Sequence, residues 1–165
     1  MPGQMLRDGL SAEDQLCTSG YNFAEQRFMT LEPAVRDLLS RPNFAHLATL
    51  MPDGSPNVTP IWIGVTGNHI VITSGEGSLK VRNLRRDPRL ALSVVDFQNP
   101  YEEVQIRGRV VEFRDDSGFA MVDEVSRKYT GKEFPWRDPA GRVALIVEVE
   151  QARYTKLPFQ HTPAA

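Results

Sequence analysis

The chain has 165 residues and a formal net charge of −2, and 41% of its residues are apolar while 24% are charged. These values are typical of one soluble globular domain, and they exclude a surface that is basic throughout, as a general nucleic-acid-binding protein would have. No run of residues approaches the roughly 18 consecutive apolar positions of a membrane span, and no secretion signal is visible. The single cysteine, Cys17, cannot form an internal disulfide. We therefore expect a cytoplasmic protein without a membrane partner.

Residues 1–30 show no sustained hydrophobic period, and we interpret them as an N-terminal extension with a short helix around Ser11–Leu16. The next stretch, LEPAVRDLLS (31–40), has apolar residues at helical spacing and predicts an amphipathic helix. We therefore place one domain at residues 31–165, after the extension.

After Pro42 the apolar residues recur with a period of two, which is typical of β-strands. Six strands are predicted, at residues 44–50, 57–65, 69–74, 89–97, 102–113 and 142–156. Pro60 lies inside the second of these runs, and a proline there indicates an edge strand or a bulge because it cannot donate a hydrogen bond to a neighbouring strand. Helices are predicted at about 78–87 and 115–130.

The connections between the predicted strands are mostly tight turns, such as those at Asp53-Gly54 and at Thr66-Gly67-Asn68. Such short connections favour antiparallel neighbours and disfavour the repeated strand–helix–strand units of a Rossmann domain. The sequence therefore predicts a mainly β protein, with a six-stranded antiparallel sheet that closes as a barrel and short flanking helices.

The predicted helix 78–87 belongs to the most basic segment of the chain. Lys80, Arg82, Arg85, Arg86 and Arg89 face one acid, Asp87, which leaves a local charge of +4. The loop SGEGS (74–78) leads a strand into this helix, with Ser78 as its N-cap, and the free amides of a helix N-terminus favour an anion.

Two interpretations of the basic segment stay open at this point. Lys80 would add its charge to the first turn, which indicates a phosphate-binding site, although neither a Walker motif nor GxGxxG is present. A solvated surface helix is the alternative, because repulsion between neighbouring arginines costs only about 0.2–0.5 kcal/mol per pair.

Other kinds of site have weaker support in the sequence. His46, His69 and His161 are scattered, and no cysteine or carboxylate lies near them at the spacing of metal ligands, so we expect no metal site. No nucleophile motif is present, and no catalytic residue can be named. Nucleic-acid binding through the basic segment ranks low, since the chain is slightly acidic overall.

Two blocks of the sequence resemble a known family. HLATLMPDGSPNVTPIWIGV (46–65) and ITSGEGSLKVRNLRRDPRLALSV (72–94) are similar to the pyridoxamine 5′-phosphate oxidase-like superfamily of flavin-binding split β-barrels. Within it, KVRNLRRDPR (80–89) most resembles the actinobacterial branch that uses coenzyme F420, an 8-hydroxy-5-deazaflavin. The resemblance implies a six-stranded split barrel and a homodimer with two cofactor sites at the subunit interface.

The resemblance also implies which residues contact the cofactor. Thr59, Pro60, Ile61 and Trp62 correspond to the strand whose backbone lines the ring. Thr73, Ser74, Ser78 and Lys80 correspond to the phosphate-contacting strand end and helix start, followed by Val81, Arg82 and Asn83.

The function implied by the resemblance is a deazaflavin-dependent oxidoreductase that transfers a hydride between coenzyme F420 and a small organic substrate. Two alternatives remain: an FMN-dependent oxidase or reductase of the same fold, and a cofactor-binding protein without turnover.

Overall fold

Seven strands and three helices make up the fold in a computed structural model that describes residues 30–138, 141–159 and 161–162. The strands are β1 (Ala45–Leu50), β2 (Pro56–Ile61), β3 (Gly64–Thr66), β4 (His69–Gly75), β5 (Arg89–Val95), β6 (Glu102–Asp115) and β7 (Arg142–Lys156). The helices are α1 (Pro33–Ser40), α2 (Leu79–Arg86) and α3 (Ala120–Thr130). The predicted helix around Ser11–Leu16 and Cys17 lie outside the described residues. Within those residues, no helix is both long and apolar enough to cross a membrane.

The strands form one sheet in the order β2-β1-β5-β6-β7-β4-β3, and every neighbouring pair is antiparallel. The predicted mainly β fold with short flanking helices is confirmed. The six-stranded closed barrel is wrong, because the sheet has seven strands and stays open, with β2 and β3 at its two edges.

The extra strand arises because the predicted strand 57–65 is divided at Trp62 and Ile63. The side chain of Ile63 is fully buried, and its backbone N–H donates to the Tyr129 hydroxyl at 3.2 Å. Its carbonyl accepts from Lys128 Nζ at 2.9 Å. Since α3 satisfies both backbone groups of this residue, the chain leaves β2 here and continues as β3 at the opposite edge of the sheet.

This contact between Tyr129 and Ile63 leads to a stability prediction. Burial raises the pKa of Tyr129 to about 12, so its hydroxyl stays protonated at neutral pH and donates to the Asn43 carbonyl at 2.7 Å. Tyr129→Phe should lower the free energy of unfolding by about 1–3 kcal/mol, because two backbone groups lose their partner. Denaturant unfolding measures the change. Tyr101→Phe is the control, since the hydroxyl of the half-exposed Tyr101 has no partner in the described part of the chain. Equal stability of the two variants would contradict the role given to Tyr129.

The main core lies between one face of the sheet and the helices α1 and α2. Its largest fully buried side chains are Leu38, Leu39, Leu47, Ile63, Ile70, Ile72, Leu84, Ile106 and Leu145. A smaller cluster on the other face of β4 and β7 joins Val71, Ala144 and Ile146 to Met121 of α3. Helices α1 and α2 thus pack on one face of the sheet, and α3 packs on the other face at β4 and β7.

We call the outward faces of β2, β1, β5, β6 and the last part of β7 the open sheet face. Along β1 the buried Ala45, Leu47 and Thr49 alternate with side chains that point to the open sheet face, as the pleat of a strand requires. Val58 of β2 lies on this face and is 60% exposed.

The third helix begins later than the sequence predicts. Instead of a helix from about residue 115, β6 continues to Asp115, and α3 starts at Ala120. The buried carboxylate of Asp116 accepts from the backbone amides of Met121 at 2.9 Å and Val122 at 3.1 Å. These bonds satisfy free amides at the start of the helix and set its first residue.

Candidate functional site

Three of the predicted phosphate-binding residues meet where β4 leads into α2. Ser78 caps α2, and its Oγ accepts from the backbone N–H of Val81 at 3.4 Å. Ser74 Oγ lies 3.0 Å from Ser78 Oγ, and Lys80 Nζ donates to Ser74 Oγ at 3.3 Å. We call Ser74, Ser78 and Lys80 the Ser–Lys cluster. The family resemblance implied a phosphate-contacting role for all three residues, which lie within one strand–loop–helix segment.

The charge of the Ser–Lys cluster comes from Lys80. Its side chain is half-buried, and burial lowers its pKa from the ordinary value. No carboxylate pairs with it among the residues that the structure describes. A partly desolvated ammonium bonded to one of two adjacent hydroxyl groups, at the start of a helix, offers the donors that a phosphate group requires.

The arginines that follow have partners within the protein. Arg85 forms a bidentate ion pair with Glu76, with Nη2 to Oε2 at 2.9 Å, and its guanidinium lies 4.3 Å from the ring centroid of Phe113. Pairing with Arg85 lowers the pKa of Glu76. Arg89 is paired with Asp87 at 2.6 Å. The charges of Arg85 and Arg89 are therefore neutralised by Glu76 and Asp87, respectively.

The two remaining arginines bind backbone carbonyls. Arg82 Nη1 donates to the Gly77 carbonyl at 3.1 Å, and Arg86 Nη2 donates to the Leu50 carbonyl. Both side chains are largely exposed, so they remain a source of positive charge at the rim of the Ser–Lys cluster.

Val81 and Asn83, two further predicted cofactor-binding residues, have buried side chains. Val81 is fully buried in the core, and Asn83 is 1% exposed. Asn83 Nδ2 donates to Thr49 Oγ1 at 3.0 Å, which ties α2 to the end of β1. Thr73 lies on the opposite face of β4 from Ser74 and is not part of the Ser–Lys cluster.

The predicted ring-lining residues occupy the end of β2. Pro60 is exposed on the open sheet face, whereas Thr59 and Ile61 point toward the core. Trp62 follows the strand and stacks on Tyr129, with ring centroids 5.0 Å apart and an interplanar angle of 7°.

The structure does not bring this segment into contact with the Ser–Lys cluster within the described residues. The two are connected through β1, because Thr49, the partner of Asn83, lies opposite Asn57 of β2. Trp62 is five residues further along, or about 16 Å at the usual rise of a strand. A ligand that contacts both segments would be elongated, with an anionic group at one end and a planar ring at the other.

An aromatic cluster around Trp62 was missed by the sequence reasoning. Besides its stack with Trp62, the Tyr129 ring lies 5.7 Å from the Phe44 ring, which in turn meets the Phe97 ring edge to face at 5.4 Å. Phe97 is 63% exposed. The four residues are far apart in the chain, so neither spacing nor period could reveal the cluster.

Comparison with known proteins gives an independent view of the chain. Residues 31–156 match the sequence profile of the pyridoxamine 5′-phosphate oxidase family. Among solved structures, an F420 reductase is 34% identical, with a TM-score of 0.67 over 72% of this chain and 94% of its own. A conserved hypothetical protein from Mycobacterium tuberculosis is 24% identical, with a TM-score of 0.66 over 86% of this chain and 98% of its own.

A more distant structure shares the fold alone. General Stress Protein 26 from Bacillus anthracis is 10% identical, with a TM-score of 0.59 over 74% of this chain and 91% of its own. No curated protein matches this sequence.

Proposed function

Because the chain belongs to the pyridoxamine 5′-phosphate oxidase family, which binds flavins, we propose that it is an oxidoreductase that exchanges a hydride between coenzyme F420 and a small organic substrate. The Ser–Lys cluster carries this proposal, since its two hydroxyls and an ammonium with no carboxylate partner among the described residues suit the phosphate of such a cofactor. Similarity to an F420 reductase at 34% identity supports a deazaflavin over FMN.

The residues of this chain would bind and orient the cofactor. Ser74, Ser78 and Lys80 would hold its phosphate, and the backbone of 59–62 would line its ring. When bound, coenzyme F420 supplies the hydride chemistry, which agrees with the lack of an evident acid–base or nucleophile pair in the sequence. The exposed Arg82 and Arg86 would attract the anionic tail that coenzyme F420 carries beyond its phosphate.

We expect coenzyme F420 to bind more tightly than FMN. Parallel fluorescence titrations of the purified protein with both cofactors measure the preference. Binding of coenzyme F420 should weaken as salt is added, because exposed charges are screened over about 8–10 Å at physiological ionic strength. Tighter binding of FMN would favour the FMN-dependent alternative, and binding without turnover of any substrate would favour a cofactor carrier.

We also propose that the protein is a homodimer in which the open sheet face is covered by a second copy. Val58 at 60% exposure leaves an apolar side chain in water on this face, as do Phe44 at 40% and Phe97 at 63% just beyond the ends of β1 and β5, and exposed apolar patches mark interaction surfaces. The cofactor sites would then lie at the interface, as the family resemblance implies.

Analytical ultracentrifugation at micromolar concentration should give a species of twice the chain mass of 18.5 kDa. Val58→Asp should shift the population toward the monomer, because it would bury a carboxylate without a partner in the interface. A single 18.5 kDa species for the parent protein would show that the open sheet face is not a dimer interface.

A further inference from the structure

A concave region on the open sheet face forms a cavity of about 500 Å³, separate from the Ser–Lys cluster. It is lined by His46, Ala48, Val58, Ala91, Leu92, Ser93, Gln105, Ile106, Arg107, Gln151 and Arg153. These residues come from five strands, β1, β2, β5, β6 and β7, so the pairing of the sheet decides which of them are neighbours.

The strand register arranges the lining side chains in two parallel rows across the sheet. One row runs through directly opposed residues from β2 to β7: Pro60, His46, Ser93, Gln105 and Arg153. The adjacent row is Val58, Ala48, Ala91, Arg107 and Gln151. The cavity therefore has a cationic end at β6 and β7, while at β2 and β1 it is lined by the apolar Val58 and Ala48 together with His46.

The cationic end holds two guanidinium groups, and Glu103 of β6, which borders this end, accepts from Gln105 Nε2 at 3.1 Å. Arg107 Nε donates to the neutral side-chain oxygen of Gln151 at 2.9 Å, and Arg153 has no hydrogen-bond or ion-pair partner among the described residues. None of the lining residues is Asp or Glu. By contrast Arg109, two residues along β6, is paired with Glu148 at 3.0 Å.

The two arginines are diagonal neighbours on adjacent strands, because Arg107 opposes Gln151 and Gln105 opposes Arg153. Diagonal side chains of this kind lie about 7–8 Å apart, and like charges on facing strands repel each other. A bound anion would relieve this repulsion and could accept from both guanidinium groups, which are suited to planar carboxylates and to phosphates.

We propose that this cavity binds the substrate, and that the substrate is a planar, largely apolar molecule with a carboxylate or phosphate group. The anionic group would bind to Arg107 and Arg153, while the apolar body would lie over Val58, Ala48 and Ala91, next to Pro60. This proposal rests on the function proposed above, because Pro60 belongs to the segment expected to line the cofactor ring. The second copy of the proposed dimer would close over the cavity.

Benzoate and benzamide test the proposal, since they have nearly the same shape and only benzoate carries a charge. Isothermal titration of the full-length protein should show benzoate binding about tenfold more tightly than benzamide. The double variant Arg107→Gln/Arg153→Gln should lose this difference. Arg127→Gln is the control, because Arg127 is paired with Glu133 away from the cavity, and it should bind benzoate like the parent.

Cofactor titrations on the same proteins separate this proposal from the proposed function. The double variant should bind coenzyme F420 like the parent, because the Ser–Lys cluster is unchanged. Equal binding of benzoate and benzamide, or no effect of the double variant, would overturn the substrate class. Displacement of benzoate by the cofactor would also overturn it, since the cavity would then hold the cofactor itself. Arginine-dependent benzoate binding in a protein that binds neither cofactor would support the anion site and refute the oxidoreductase function.

Discussion

Replacing Lys80 with alanine is expected to weaken cofactor binding by about 10- to 150-fold, or 1.5–3 kcal/mol, the usual contribution of a hydrogen bond to a charged group. Lys80 Nζ donates to Ser74 Oγ, which lies 3.0 Å from Ser78 Oγ, and the lysine is half-buried and has no carboxylate partner in the described chain. Its charge is therefore available to an anion. A fluorescence titration of the Lys80→Ala variant with coenzyme F420 measures the loss.

Two arginine variants give the comparison for Lys80→Ala. Arg85 and Arg86 lie one turn or more later in α2, and their side chains are exposed and already bonded to Glu76 and to the Leu50 carbonyl. Exposed charges of this kind contribute about 0–1 kcal/mol each, so Arg85→Ala should bind nearly as the parent does, and Arg86→Ala, which removes a charge expected to attract the anionic tail, should lose no more than about 1 kcal/mol. Thermal melts check that each variant is folded. If Lys80→Ala binds normally while an arginine variant does not, the phosphate is bound elsewhere.

The largest loss of stability is expected for Gly108→Ala. A Cβ atom at this position would lie 2.3 Å from the backbone oxygen of Glu148 and 3.3 Å from its backbone carbon. Gly108 adjoins one of the two β-bulges in the pairing of β6 with β7, at the centre of the sheet. Because the obstacle is backbone, the strands must separate, and we expect a loss of about 3 kcal/mol or more in the free energy of unfolding.

Denaturant unfolding of Gly108→Ala and of Gly118→Ala checks this prediction. A Cβ at Gly118 would meet nothing within 4 Å, so that variant isolates the effect of adding a methyl group to a glycine. Equal stability of the two variants would mean that β6 and β7 can move apart at Gly108 without cost.

The parts of the fold that local patterns determine were predictable from the sequence. The alternation of apolar residues located β7 at Arg142–Lys156, the same range that the structure shows. In α2, the Ser78 cap and Pro88 set both ends of the helix to within a residue. The proximity of Ser74, Ser78 and Lys80 also follows from their closeness in sequence, whereas their role in binding a phosphate came from the family resemblance and stays a prediction.

The features that could not be predicted depend on contacts between distant residues. The division of 57–65 into β2 and β3 follows from Lys128 and Tyr129, which are 65 and 66 residues away from Ile63. Nothing in the sequence of the strand itself shows that its backbone will bond to a helix. The cavity on the open sheet face likewise depends on the register of five strands. Hydrophobic alternation predicts which face of the sheet each side chain points to, but it does not predict which residues of neighbouring strands lie opposite each other.

A crystal structure of the protein grown with coenzyme F420 tests the central proposal most directly. We expect the cofactor phosphate within about 2.7–3.2 Å of Lys80 Nζ and Ser78 Oγ, with the deazaflavin ring against the backbone of residues 59–62 and the cavity beside Pro60 left for the substrate. Density for the cofactor that contacts neither the Ser–Lys cluster nor the 59–62 segment would contradict the account.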